Sequence, residues 1–172
     1  MNEPNDKDTI RGETQQKNIL LLRADLIDFW HLCLTSVEWQ TKVYVQKHYL
    51  LYPNPYPKKS RLKSRFYAHP AFPLLMLTIM NVSCDGMIVR SNWKGYLDEF
   101  ALAVRVWEGA ELSLDHFKDL DFDVSTYVHK LRWEIRSPER IRSDSTAMTN
   151  FEAKYFSCGE PVYELYIRTT KL

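Results

Sequence analysis

The sequence predicts an α/β fold, an open sheet with helices on its faces, and three observations carry that expectation. Short runs of Val, Ile, Tyr and Leu alternate with stretches of helical period from residue 19 to about residue 104. Alternation of that kind builds a sheet flanked by helices. The 45% hydrophobic and 13% aromatic content is that of a globular chain, not a disordered one. A length of 172 residues suits one domain with a core of ordinary size.

Residues 1–18 are rich in Asn, Asp, Glu, Gln and Lys and read as a disordered segment ahead of a domain covering 19–172. Ile19 to Leu22, followed by Arg23-Ala24-Asp25, reads as a buried strand with an acidic residue at its carboxyl end. Leu26, Phe29, Trp30, Cys33 and Leu34 keep helical spacing and predict a helix from about 26 to 36. Val43 to Leu51 reads as a second strand, stopped by Pro53. Pro70 and Phe72 open a helix through Leu74, Leu75 and Ile79, and 86–90 is a short strand. Trp93, Tyr96, Leu97, Phe100, Ala101 and Val104 predict a further helix, with Ser91 or Asn92 as its cap. Residues 109–126 are acidic and mixed and read as an insertion. Tyr127 to Ile135 reads as a strand broken by Ser137-Pro138, Met148 to Tyr155 as a short helix, Gly159 as a turn and Val162 to Arg168 as a final strand.

The net charge is +1, so any basic surface is local. Cys33, Cys84 and Cys158 are odd in number, widely spaced and form no C-x-x-C pair, which argues against a disulfide framework or a zinc site. The expected setting is a reducing cytoplasm. His31, His48, His69, His116 and His129 show no metal-ligand spacing. The longest apolar stretch, Ala71 to Val82, contains Pro73 and falls short of the roughly 18 residues of a membrane span. The first 18 residues hold no apolar core of a signal peptide. Five glycines cannot supply a G-x-G-x-x-G dinucleotide loop where none is spaced for it.

The segment richest in functional signal is Pro53-Asn54-Pro55-Tyr56-Pro57-Lys58-Lys59, followed by Arg61, Lys63 and Arg65. A stiff proline frame at the end of a predicted strand sits where ligands bind in open α/β sheets. Five cations within residues 58–65, next to aromatics, are the footprint of a polyanion partner. A solvated surface loop is the alternative reading.

PNPYPKKSRLKSRFYAHPAF resembles the P-D-P-W-P-K-x-R-H-x-K-R-R…P-x-F segment of the tRNA (guanine-N7)-methyltransferases. RSNWKGYLDEFA is similar to that family's T-D-W-x-x-Y-x-E segment, TNFEAKYFSCGEPVYELYI to its closing T-K-F-E-x-R-G…L motif, and NILLLRADL to the strand ending in Asp-Ala before them. The four motifs occur in the family's order over roughly residues 18–169.

The resemblance implies a class I S-adenosylmethionine (SAM) methyltransferase fold with strand order 3-2-1-4-5-7-6. On that map the strand before Asp25 is the third and the strand before Pro53 is the fourth. The first two, which carry the SAM loop, have no counterpart in the 18 polar residues upstream. The fourth strand would then be an unpaired aromatic edge, open to self-association. The implied activity is SAM-dependent methyl transfer to guanine N7 in tRNA. The alternative is an RNA-binding remnant, or a protein completed by a partner, without its own SAM site.

Residue by residue, the resemblance places Asn54 and Arg61 at catalytic positions. It places Lys58, Lys59, Lys63, Arg65, Asn92, Thr149 and Glu152 against tRNA or its guanine. Asp25, Asn54, Thr149 and Glu152 fall at SAM-contacting positions, and no metal is implied. The family's Asp is Asn54 here, its Trp is Tyr56, its His is Arg61, one Arg is Ser64 and the Asp of T-D-W is Asn92. Guanine N7 carries a lone pair and no proton, so its methylation needs alignment rather than a general base. An Asn at position 54 keeps one carbonyl acceptor for guanine's donor edge but turns an NH2 toward it as well. Thr149 with Glu152 three residues on also fits a capping box, and both roles are open.

Overall fold

A computed structural model describes residues 20, 22–81, 84–109, 131–142 and 146–171. Asp25 starts α1 (Leu26–Thr35) by accepting the Ile27 N–H, 2.8 Å. Ser36 ends α1 and starts α2 (Val37–Lys42) by accepting the Trp39 N–H. An extended stretch leads to β1 (His48–Leu51). Two 3-10 turns follow, Lys59–Ser64 and Phe66–Ala68, then α3 (Ala71–Asn81). Pro73 is tolerated in α3 because it lies in the first turn, where N–H groups have no helical partner. Next come β2 (Met87–Ser91) and α4 (Lys94–Gly109), where Ser91 Oγ accepts the Trp93 N–H just ahead of the helix. The remaining elements are β3 (Leu131–Ile135), β4 (Glu139–Ile141), α5 (Asn150–Ser157) and β5 (Val162–Lys171).

The five strands make one open sheet of order β1-β2-β5-β3, with β4 also on β5. β1 and β2 are parallel, with Tyr49 opposite Ile88 and Leu50 opposite Val89. β5 runs antiparallel to β2, with Val89 opposite Leu165 and Arg90 opposite Glu164. Its other side takes β3 along residues 167–171 and β4 along residues 162–164.

Strand alternation sorts the two faces. Met87, Val89, Leu165 and Ile167 join one core cluster with Trp30 and Leu34 of α1, Leu75, Met76, Leu77 and Ile79 of α3, and Tyr96, Leu97, Phe100 and Val104 of α4. Phe66, Tyr67, Phe72, Tyr96 and Phe100 form an aromatic knot within it, with Phe72 edge-on to Phe100 at 5.5 Å. The opposite face carries Ile88, Arg90, Glu164 and Tyr166, and the described helix that reaches it is the short α5, through Glu152 and Arg90. Helices on both faces were expected; the three long ones share a single face.

Other expectations shift as well. Leu20 and Leu22 are not in a strand and are 87% and 63% exposed. Neither residue has a described strand to pair with, and extension without a pairing partner gains little. The strand expected over 43–51 is confined to 48–51, where β2 supplies its partner. The short β4 falls at Glu139–Ile141, a sequence too polar to signal a strand. The insertion expected over 109–126 and the beginning of the strand expected over 127–135 lie outside the described residues, apart from Gly109 at the end of α4. Among the described residues β1 has no strand on its far side, and Tyr49 on it is 49% exposed.

Gly86 precedes β2 at φ +118°, and a Cβ there would lie 2.2 Å from the Ile167 carbonyl oxygen. Gly159 turns α5 into β5 at φ +71° with open space around it. Gly86→Ala should therefore lower unfolding free energy by about 3 kcal/mol, combining backbone strain with overpacking, and Gly159→Ala by about 1 kcal/mol. Urea unfolding of the two variants checks the contrast. A second expectation concerns His48 on β1, whose Nε2 is buried without a hydrogen-bond partner and whose pKa burial lowers. The unfolded chain then takes up this proton before the folded one does. Stability from this site is complete above the ordinary imidazole value of about 6.5 and falls as pH drops below it. His48→Gln should flatten the pH 7.5 to 5.5 slope in thermal unfolding.

Candidate nucleic-acid interface

The carboxyl end of β1 leads into the proline loop, and the loop is held in an uncommon shape. Tyr52 and Tyr56 have φ of +53° and +40°, and each precedes a proline. Left-handed backbone at a bulky residue costs about 1–3 kcal/mol and persists where the surroundings enforce it. Here the Tyr52 N–H donates to the Arg90 carbonyl at 2.9 Å, so β2 holds the strand end. Asn54 Oδ1 accepts the Tyr56 N–H at 3.2 Å, closing a local turn.

Arg65 then ties the loop to the helical layer. It is 3% exposed, unlike its exposed neighbours. Its Nε donates to the Tyr56 carbonyl, and its Nη1 to the Tyr67 hydroxyl and the Glu99 carboxylate. Its guanidinium lies 5.3 Å from the Trp93 ring centroid. Burial, reinforced by the hydrogen bond to Glu99, pushes the Tyr67 hydroxyl up to about 12, so it remains a phenol in this network. Arg65, expected to contact tRNA, is thus committed inside the protein. Lys58, Lys59, Arg61 and Lys63 are exposed around the Lys59–Ser64 turn. Three residues per 3-10 turn spread these cations around it rather than along one line.

α5 closes the other side. Thr149 Oγ1 accepts the Glu152 N–H at 3.2 Å, the capping half of the capping-box expectation. Glu152 is fully buried, with Oε2 accepting the Met148 N–H and Oε1 accepting from Arg90 at 2.7 Å. Arg90 also pairs with Glu164 on the adjacent strand at 2.7 Å. The Tyr52 hydroxyl is buried without a hydrogen bond of good geometry. Burial first, and then the Glu152 carboxylate, holds this phenol well above its ordinary value. Phe151 and Tyr155 of α5 lie beside Tyr52, with ring centroids 6.4 and 5.5 Å away.

The expected site residues thus divide. Asn54, Thr149 and Glu152 belong to the region where β1, β2 and α5 meet, and Asn92, half-buried, follows β2 there. Lys58, Lys59, Arg61 and Lys63 flank the same loop. Asp25 caps α1, which packs on α3. No hydrogen bond among the described residues links Asp25 to the loop or to α5. Asp25 thus caps α1, Thr149 caps α5, and Glu152 has both oxygens engaged within the protein. Residues the sequence did not single out are Tyr52, Tyr155 and Arg90. The Thr149-to-Glu152 spacing pointed at α5, but nothing local said that Arg90 would reach it.

A shallow cavity of about 300 Å3 lies elsewhere, on the second sheet face, lined by Lys47, Ile88, Arg136, Glu139, Glu164 and Tyr166. The cysteines form no reactive cluster: Cys33 is buried and its thiol is pushed up to about 11. Among the described residues no group of His, Cys, Asp or Glu could hold a metal ion, and no helix is long and apolar enough to cross a membrane. The chain matches no family model and no curated protein.

Arg90→Ala should destabilise the fold by about 3–5 kcal/mol, because it leaves a fully buried carboxylate at Glu152 without its cation. The double variant Arg90→Ala, Glu152→Ala should lose less than the sum of the single losses. Urea unfolding of the four proteins gives the coupling.

Proposed function

We propose that this chain binds tRNA as the acceptor side of a class I methyltransferase related to the tRNA (guanine-N7)-methyltransferases. The observation that carries this reading is the sheet. Its order β1-β2-β5-β3, with the first pair parallel and β5 antiparallel between β2 and β3, is compatible with the 4-5-7-6 part of the order that the resemblance implies. The proline loop leaves the carboxyl end of β1, where that part of the fold would present an acceptor. Four exposed cations beside it suit a phosphate backbone.

The chemistry asked of these residues is placement. Guanine N7 has its lone pair ready and needs no base. Asn54 is exposed and uses Oδ1 on the Tyr56 N–H, which leaves its amide NH2 as the donor it can offer a ligand. A donor at that position favours base acceptors such as O6 over guanine's N1–H edge. Glu152 acts through Arg90 and the Met148 N–H, so its role is to position α5. SAM, when bound to a protein of this class, supplies the methyl group. Asp25 and Thr149 are engaged as helix caps and Glu152 in an ion pair and a backbone hydrogen bond, which supports RNA binding without a cofactor site formed by them.

Filter binding of tRNA between 50 and 200 mM salt tests the reading. Changing Lys58, Lys59, Arg61 and Lys63 to Gln should weaken binding and flatten the log K against log salt slope by about 3. Arg65→Gln should instead lower stability with the slope retained, since its guanidinium is buried. Calorimetric titration of SAM should give no binding heat, while micromolar SAM affinity would return the complete enzyme as the better reading.

A further inference from the structure

Phe151 is 66% exposed, yet it sits on a helix whose next residue, Glu152, is fully buried. The Thr149 cap and the Arg90–Glu152 pair fix the rotation of α5, so Phe151 cannot turn inward without breaking both. Tyr155, four residues on, shares its helix face. The Tyr52 ring is tilted 32° from Phe151 and 37° from Tyr155. Three rings thus form a ledge whose outer member faces solvent. Tyr52 contributes from a left-handed backbone, the kind of strain that gathers at ligand clamps.

The cations lie close by. Lys58 lies six positions after Tyr52, a reach of at most about 20 Å, and the Arg65 bond to the Tyr56 carbonyl draws the basic turn back toward the loop. An exposed aromatic beside a short run of cations is how proteins hold single-stranded nucleic acid, bases on rings and phosphates on Lys and Arg. A purely apolar partner would have no use for Lys58, Lys59, Arg61 and Lys63.

We propose that Phe151, backed by Tyr52 and Tyr155, is a stacking platform for one unpaired RNA base. This rests on the RNA-binding reading above and adds the residue that holds the base. The test uses the full chain, its Phe151→Leu and Phe151→Trp variants, and a single-stranded oligoribonucleotide carrying 2-aminopurine, whose fluorescence falls on stacking. Phe151→Leu should weaken binding by roughly 10- to 100-fold, abolish the quenching and leave the salt slope unchanged. Phe151→Trp should retain both affinity and quenching. Because Phe151 is exposed, both variants should keep the parent circular dichroism spectrum. Equal affinity and quenching in the Leu variant would overturn the platform while leaving RNA binding intact. No binding by the parent chain at low salt would overturn both readings. A parent dimer that Phe151→Leu converts to a monomer, with RNA affinity unchanged, would make the ring a contact between copies and overturn the platform as well.

Discussion

The antiparallel pairing of β5 with β2 is the interaction on which the rest of the structure depends. β5 hydrogen-bonds β2, β3 and β4, so among the described strands it joins every one except β1. Its register places Leu165 and Ile167 under α3 and α4 and turns Glu164 and Tyr166 to the other face. A slip of one residue would exchange these sets and expose the apolar pair. The close approach of the Ile167 carbonyl to Gly86 pins that register at one end, and Arg90 opposite Glu164 marks it at the other. These partners lie 74 residues apart, so loop closure must be completed before the pairing returns its free energy.

From that pairing the ionic cluster follows. Arg90 stands beside Glu164 because the register puts it there, and its second contact is the fully buried Glu152 of α5. Buried ion pairs add little net stability compared with apolar residues of similar volume. Their effect here is placement: α5 can dock in one rotation, with Glu152 inward and Phe151 outward. Arg65 does the same for the proline loop. Its planar fork meets the Tyr56 carbonyl, Tyr67 and Glu99 at once, which a lysine in its place would not match.

The uneven covering of the sheet gives the molecule two different surfaces. Three long helices bury one face and hold nearly all of the core. On the other, Tyr166 donates its hydroxyl to the Asp85 carbonyl, with the Arg136 guanidinium and Lys47 ammonium 5.0 and 5.7 Å from its ring centroid. Cations over the ring and an adjacent Glu164 keep this face polar around a buried Ile88. The edge at β1 is short, four residues, which limits the template it offers to another strand.

Local pattern alone located most elements. Helical spacing found α1, α3 and α4; β-branched and aromatic runs found β2 and β5; Thr149 with Glu152 announced the start of α5. The proline loop and its exposed cations were equally legible, because proline and charge act through neighbours in sequence. Tertiary structure decided what depended on distant partners. Ile19 to Leu22 looked like a strand, but strand formation requires a neighbour, and the described part of that run has none. Arg65 looked like its neighbours in the basic run, yet burial against Trp93 and Glu99 took it out of the surface set. Phe151 stands exposed because the clamp on its neighbour Glu152 turns it outward, and nothing local to the sequence shows that. Periodicity and turn chemistry are short-range and readable along the chain. Which side chains meet is set by strand register and helix docking, long-range pairings that no window of sequence contains.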